Sequence, residues 1–206
     1  MDLLIIFVSL AVILFSIMIH EVAHGSAAYY LGDTTAKENK RLSLNPLNHL
    51  DPIGSFLVPL MLILSGAPAF GWAKPVPVDF HAISSKKWGQ LKVALAGPSA
   101  NLLIAIIFGI IIRFPIFDPS FYQFLQIVIF YNILLAIFNL MPIPPLDGSH
   151  IFFELIGDRF NSLKIFLSQF GFFILIFLIF FVPGFRILLN NIIVKIYYLI
   201  VGLPLI

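Results

Sequence analysis

The chain has 206 residues, of which 60% are hydrophobic and 11% are charged, and its mean hydropathy is +1.04. Soluble domains carry about 25% charged residues, so the composition excludes a soluble fold and predicts an integral membrane protein in contact with the lipid bilayer. Cysteine is absent, which excludes disulfides, thiolate catalysis and cysteine-based zinc sites. The net charge of +2 is too small to suggest a nucleic-acid partner.

Long apolar stretches predict the membrane helices, since about 20 apolar residues cross a bilayer. A shorter apolar run at residues 55–64 is predicted to be re-entrant or interfacial, and residues 67–78, rich in Pro and Gly, to be extended. We therefore expect one domain over residues 1–206. Its fold class is an all-α polytopic membrane protein with about five to six membrane helices and a short re-entrant or extended segment between the first and second full spans. The predicted spans are residues 3–32, 91–112, 121–141, 165–182 and 187–206.

The distribution of basic residues predicts the orientation, because such residues stay on the cytoplasmic side. If the run at 55–64 does not cross, most of them fall on one side, which is then cytoplasmic, and the N-terminus lies outside. Mainly Arg113 and Arg186 fall on the other side. If the run crosses, the group from Lys74 to Lys92 moves outside and the bias weakens. The residues on the first side are Lys37, Lys40, Arg41, Lys74, Lys86, Lys87, Lys92, Arg159 and Lys164.

His20, Glu21 and His24 form an H-E-x-x-H motif on the first predicted helix. The helical repeat puts both histidines on one face with Glu21 beside them. Two neutral imidazoles and a third protein ligand bind zinc and leave a position for water, whose proton a neighbouring carboxylate can accept. The alternative, two packing histidines and an unrelated glutamate, is disfavoured because ionisable groups at membrane depth cost on the order of 3 kcal/mol each unless paired or functional.

Asp147, in NLMPIPPLDGSH, is the candidate for the third ligand. The alternative is a helix-terminating turn, since prolines break the helix and Asp-Gly is common in turns. If residues 55–64 do not cross, Asp147 lies on the same side as His20 and His24, and otherwise it faces the opposite side. Charge bias and ligand geometry therefore both favour the non-crossing topology.

These segments resemble the site-2 protease family of intramembrane zinc metalloproteases. HEVAHG is similar to the family's catalytic helix, NLMPIPPLDG to its N-x-x-P-x-x-x-L-D-G signature, and ALAGPSANL to the small-residue segment between them. NPLNHLDPIGS and FGWAKPVPV resemble compact prokaryotic members. The chain has DGSH where many members have DGGH. Unlike many members, it is expected to have no PDZ or CBS domain and no span before the catalytic helix.

The resemblance implies a zinc metalloendopeptidase that hydrolyses transmembrane or membrane-anchored protein substrates. It implies one zinc ion per chain, with His20, His24 and Asp147 as ligands and Glu21 as the catalytic base. We expect the protein in the inner membrane of a prokaryotic cell, with the active site toward the cytoplasm.

A transmembrane substrate must be locally unwound before cleavage, and its freed backbone groups then need partners. Asn132 and Asn139 lie on one face of the helix that leads to Asp147, so we predict that both bind an extended substrate strand. Their alternative role is to bond to neighbouring helices. Residues 67–78 are predicted either to pair with the substrate along an edge or to form a surface loop.

The other histidines have simpler interpretations. His49 and His81 lie in turn-rich loops, where we expect solvated or loop-bonding side chains. His150 follows Asp147 and is expected to pack or cap a helix, or else to support a metal ligand. Asn101, among small residues that permit close helix contact, is expected to bond across that contact.

Two other functions compete with proteolysis. A metal transporter or metal-binding membrane protein would also place His and Asp in the membrane, but it needs ligands on both sides of a route and gives no role to Glu21. A non-catalytic partner of membrane helices would be expected to have a degraded H-E-x-x-H motif, and the motif is intact.

Overall fold

The structure is a computed structural model that describes residues 3–49, 51, 54, 57, 61, 74–83, 88–114, 116 and 118–202, without the side chain of residue 158. The predicted re-entrant run at 55–64 lies outside the described residues except for positions 57 and 61. The first part of the predicted extended segment, residues 67–73, lies outside them as well, as do Lys86 and Lys87.

Within the described residues, five helices are long and apolar enough to cross a membrane. They confirm the prediction of an all-α polytopic membrane protein, and each begins within four residues of its predicted start. Two shorter α-helices, α2 and α5, accompany them. In chain order the helices are α1 (Leu3–Tyr30), α2 (Thr35–Glu38), α3 (Gly89–Ile111), α4 (Pro119–Asn139), α5 (Asp147–Ile156), α6 (Asn161–Phe181) and α7 (Pro183–Val201).

Helix α3 lies at the centre of the bundle and contacts α1, α4, α5 and α7. It runs antiparallel to α1, because Asn101, late in α3, bonds to Ser16, whereas Val93, early in α3, bonds to His24. The chain between α1 and α3 therefore returns to the side on which α1 ends. This is the arrangement expected if the short apolar run does not cross the membrane.

Local sequence accounts for the start of α4. The side chain of Asp118 caps this helix by accepting hydrogen bonds from the N–H groups of Ser120 and Phe121, at 2.9 and 3.1 Å. Pro119 occupies the first helical position, where the missing N–H costs nothing. Helix α4 then runs back toward the end of α1, and the chain after it reaches Asp147.

The main apolar core joins α3, α4 and α7. In contrast, α6 is mostly exposed, with phenylalanine rings such as Phe173 and Phe181 on its surface. An apolar exposed surface on a membrane helix contacts lipid, which solvates it as well as a protein neighbour does. The buried residues of the core are Ala105, Ile112, Leu125, Ile129, Ile133, Ile193, Tyr197 and Val201.

Candidate metal centre

Three side chains converge in the C-terminal half of α1 and at the start of α5. His20 Nε2 and His24 Nε2 lie 3.0 Å apart, and Asp147 Oδ2 lies 3.0 Å from the first and 3.3 Å from the second. Both histidines are buried and Asp147 is half-buried. His20, His24 and Asp147 thus form a group that could hold a metal ion.

The hydrogen-bond partner of Nδ1 determines which nitrogen of each imidazole carries the proton. His20 Nδ1 lies 2.6 Å from Asn101 Oδ1, and His24 Nδ1 lies 2.7 Å from the carbonyl oxygen of Val93. Both partners are acceptors, so each Nδ1 carries the proton and donates it. In the neutral imidazole, each Nε2 is then left with a lone pair.

With both imidazoles neutral, the two Nε2 lone pairs and the Asp147 carboxylate face one another with no proton between them, which favours a cation there. Four ligands around zinc at 2.0 to 2.1 Å are separated from one another by about 3.3 Å. The observed separations of 3.0 to 3.3 Å are close to that value. Nitrogen and carboxylate oxygen are also ligands that zinc accepts, so the residues fit a zinc ion.

Asp147 is the first residue of α5, a helix that the sequence did not predict. The alternative interpretation of Asp147 was a helix-terminating turn. Turns and bends do occur here, but at residues 141–146, which precede Asp147. Gly148 allows this geometry because a Cβ there would come within 2.2 Å of the carbonyl oxygen of Leu140. The start of α5 therefore packs directly on the end of α4, and the carboxylate of Asp147 reaches the histidines.

Gly97 on α3 faces the same atoms. A Cβ at this position would lie 2.3 Å from His24 Nε2 and 2.6 Å from His20 Nε2. Sequence reasoning assigned the small residues around Gly97 only to helix contact and missed this role. The available signal was spacing, since Val93, Gly97 and Asn101 repeat every four residues, as His20 and His24 do on the opposing helix.

Glu21 lies next to His20 and is held by a loop. Its Oε2 accepts a hydrogen bond of 2.8 Å from the N–H of Val76, in the segment 74–79, which has no regular secondary structure. Buried Arg41 holds this segment by donating to the carbonyl oxygens of Lys74, at 2.6 Å, and of Asn48. The position of the Glu21 carboxylate thus depends on contacts outside α1.

The other end of the same loop is held by Asp33, which is fully buried. Its carboxylate accepts hydrogen bonds from the N–H groups of Thr35, at 2.9 Å, and of Asp79, at 2.8 Å. Burial raises the pKa of Asp33, but the hydrogen bonds from Thr35 and Asp79 outweigh it and hold the pKa below its ordinary value. The ionised form therefore stabilises the junction between α1 and the loop.

Replacing Asp33 with Asn is expected to destabilise the protein by about 1 to 3 kcal/mol at neutral pH, since an amide cannot accept both N–H bonds. A lowered pKa in the folded state stabilises above the ordinary pKa and ceases to do so as pH falls through the folded value. The difference in stability between wild type and Asp33→Asn should therefore shrink below about pH 4. Chemical unfolding in detergent over a pH series measures it, and a pH-independent difference would contradict the assignment.

The two predicted substrate-binding asparagines occupy different environments. Asn132 is 1% exposed, and its Nδ2 donates to Ser16 Oγ and to the carbonyl oxygen of Val128, both at 2.9 Å. This matches the alternative of bonding to a neighbouring helix. Asn139 is half-buried, and its Nδ2 donates to the carbonyl oxygen of Leu135 at 3.0 Å. A substrate contact by either residue stays a prediction.

The other histidines do not join the ligand group among the described residues. His49 is fully buried, and its ring bonds at 2.7 Å to the carbonyl oxygen of Ser43, so it is loop-bonding. His81 is exposed. His150 is exposed and packs its ring 5.8 Å from that of Phe80. Asn101 bonds across the contact between α1 and α3, as expected.

Comparison with known proteins agrees with this geometry. Residues 115–178, which include Asp147, match the model of peptidase family M50. The putative zinc metalloprotease YwhC of Bacillus subtilis (strain 168) is 36% identical over 176 residues, which cover 81% of this chain and 76% of that protein. No solved structure shows a significant match.

Two more distant relatives carry similar names. The putative zinc metalloprotease Rip2 of Mycolicibacterium smegmatis is 31% identical over 138 residues, covering 66% of this chain and about half, 52%, of that protein. The zinc metalloprotease MJ0392 of Methanocaldococcus jannaschii is 30% identical over 91 residues, covering 43% of this chain and 27% of that protein.

The fold and the ligand group define a membrane protein of the zinc metalloprotease class. The chain belongs to peptidase family M50, the site-2 proteases.

Proposed function

We propose that this protein is an intramembrane zinc endopeptidase that hydrolyses peptide bonds of transmembrane or membrane-anchored proteins. The observation that carries the proposal is the convergence of two lone-pair nitrogens and one carboxylate oxygen within 3.0 to 3.3 Å of one another. Glu21 follows His20 directly, on a helix that is long and apolar enough to cross a membrane.

His20, His24 and Asp147 would hold one zinc ion per chain. When bound, zinc supplies a Lewis acid that polarises water and the substrate carbonyl. Glu21 accepts the proton of the attacking water and then gives it to the leaving amine. The N–H of Val76 holds the Glu21 carboxylate at 2.8 Å and so limits its orientations before the substrate arrives.

The site is proposed to face the cytoplasm of a prokaryotic cell, with the N-terminus outside the inner membrane. Support comes from Lys37, Lys40 and Arg41, which follow α1, and from Lys74 and Lys92, which precede or begin α3 on the same side. Basic residues collect on the cytoplasmic side of membrane proteins.

Of the two predicted substrate contacts, Asn139 has the more accessible side chain. Its Nδ2 bonds within its own helix, which leaves its Oδ1 to accept a hydrogen bond from the N–H of an extended substrate strand. Asn139 ends the helix that leads to Asp147, so a strand bound there would lie near the ligand group.

Replacing Asp147 with Ala tests the proposal. Wild type, purified in detergent, is expected to contain about one zinc per chain and to cleave a single-span substrate protein within or beside its apolar segment. Asp147→Ala removes one of three protein ligands, so zinc content and cleavage should both fall more than about tenfold. Metal analysis after dialysis and mass spectrometry of the fragments are the measurements.

The matched control is Asp118→Ala. This exposed aspartate caps α4 at the opposite end of the bundle, so its loss should cost about 1 kcal/mol of stability and leave zinc content unchanged. Wild-type zinc affinity in Asp147→Ala would overturn its assignment as a ligand.

A further inference from the structure

A buried chain of polar side chains leads away from the ligand group. It consists of Asn101 on α3, Asn132 on α4 and Ser16 on α1, which are 0%, 1% and 3% exposed. Buried amides in an apolar surrounding are costly unless each polar atom has a partner. Two buried amides and a buried hydroxyl on three different helices therefore call for an explanation beyond helix packing.

The hydrogen bonds of Asn101 fix the orientation of its amide. Its Nδ2 donates to the carbonyl oxygen of Ser16 at 3.1 Å and to Asn132 Oδ1 at 2.8 Å. Asn132 is oriented in turn, because its own Nδ2 donates to the carbonyl oxygen of Val128, which can only accept. A flipped Asn101 would place its oxygen against two acceptors. Its Oδ1 must therefore face His20 Nδ1, at 2.6 Å.

We propose that Asn101 is a positioning residue for the metal centre, and that Asn132 and Ser16 hold it in this role. By accepting the Nδ1–H of His20, Asn101 selects the imidazole tautomer whose Nε2 lone pair faces the ligand group. This inference rests on the proposed zinc site. It also gives Asn132 a supporting role at the metal centre.

His24 receives the same orientation from a backbone carbonyl, that of Val93. No side-chain substitution removes that carbonyl. Asn101 is therefore the side chain through which the control of imidazole orientation can be tested in this protein.

Two substitutions separate positioning from packing. Asn101→Leu keeps the approximate volume and removes the acceptor, so zinc affinity should fall about 10- to 100-fold. Asn101→Asp keeps an acceptor for His20 Nδ1–H but loses the two hydrogen bonds that Asn101 Nδ2 donates to Ser16 and Asn132. It should therefore be less stable than wild type and, once folded, bind zinc more tightly than Asn101→Leu does, since carboxylate–histidine–zinc arrangements are common. A role in packing alone predicts the reverse order, because leucine suits an apolar interior better than a buried aspartate.

The measurement is zinc affinity of the purified protein by competition with a chelator. The matched control is Asn191→Leu, which replaces an exposed asparagine on α7 and should bind zinc as wild type does. Wild-type affinity in Asn101→Leu, or a lower zinc affinity in Asn101→Asp than in Asn101→Leu, would overturn the inference. If wild type binds zinc and Asn101→Leu binds equally well, the proposed function stands and only this inference fails. Failure of wild type to bind zinc overturns both.

Nitrogen NMR of the metal-free protein gives a readout that does not require Asn101→Leu to fold. In wild type labelled with 15N-histidine, His20 is expected to carry its proton on Nδ1. In Asn101→Leu, if folded, the Nε2-protonated tautomer should become populated. A wild-type His20 protonated on Nε2 alone would overturn the proposal.

Discussion

Glu21→Gln is expected to reduce substrate cleavage by about 10²- to 10⁴-fold while the protein keeps its zinc. The range is the usual contribution of a general acid–base residue. Glutamine has the same shape and can still accept the N–H of Val76, which now bonds to Glu21 Oε2 at 2.8 Å. It cannot accept a proton from water. Fragment yield from a membrane-anchored substrate and zinc content of the same sample are the two measurements.

Glu38→Gln is the matched control. Glu38 is exposed on α2, where its Oε1 accepts the Thr34 hydroxyl at 2.7 Å, and its replacement should leave cleavage at the wild-type level. Cleavage by Glu21→Gln at the wild-type rate would contradict the assignment of Glu21 as the catalytic base. Loss of zinc together with activity would instead give Glu21 a structural role.

Gly97→Ala is expected to lower zinc affinity by about 10- to 100-fold. The added methyl would come 2.3 Å from His24 Nε2 and 2.6 Å from His20 Nε2, so either the imidazoles or α3 must move. Overpacking of this kind costs about 1 to 3 kcal/mol, and each 1.4 kcal/mol is about tenfold in affinity. Chelator competition measures the change, and cleavage should fall with it.

Gly109→Ala on the same helix separates this effect from general overpacking. A Cβ at Gly109 would come 2.1 Å from Cγ2 of Ile200, so this variant strains the contact between α3 and α7 far from the ligand group. It should lose stability and keep zinc affinity. Equal zinc affinity in wild type and Gly97→Ala would contradict the close approach of α3 to the imidazoles.

The membrane spans could be predicted from the sequence because a bilayer imposes both the length and the apolarity of a crossing helix. His20, Glu21 and His24 could be grouped because the helical repeat alone puts them together. Asp147 could be proposed as the third ligand because, if residues 55–64 do not cross, the antiparallel arrangement of α1, α3 and α4 leaves it on the same side as the histidines.

The contacts of α3 could not be predicted in the same way. Apart from a few polar residues, α1 and α3 are apolar on every side, so hydropathy gives little indication of which face turns inward. The placement of Gly97 and Asn101 depends on how far α3 is rotated and shifted against α1. The bond from Val76 to Glu21 depends on a loop without regular structure, and the start of α5 at Asp147 depends on the close approach of Gly148 to Leu140.

Val93, Gly97 and Asn101 on α3 repeat every four residues, as His20 and His24 do on α1, so they meet in only one alignment of the two helices. The packing of α3 on α1 and the binding of an ion are therefore thermodynamically linked. A shift of α3 along α1 by one turn, about 5.4 Å, would break both Nδ1 hydrogen bonds and bring other side chains to the Nε2 atoms. An ion that binds only the observed register stabilises that register by RT ln(1 + [L]/Kd), where [L] is the free ion concentration. Metal occupancy would therefore favour one alignment of α1 and α3 over its neighbours, and the centre would act as part of the folding free energy of the bundle.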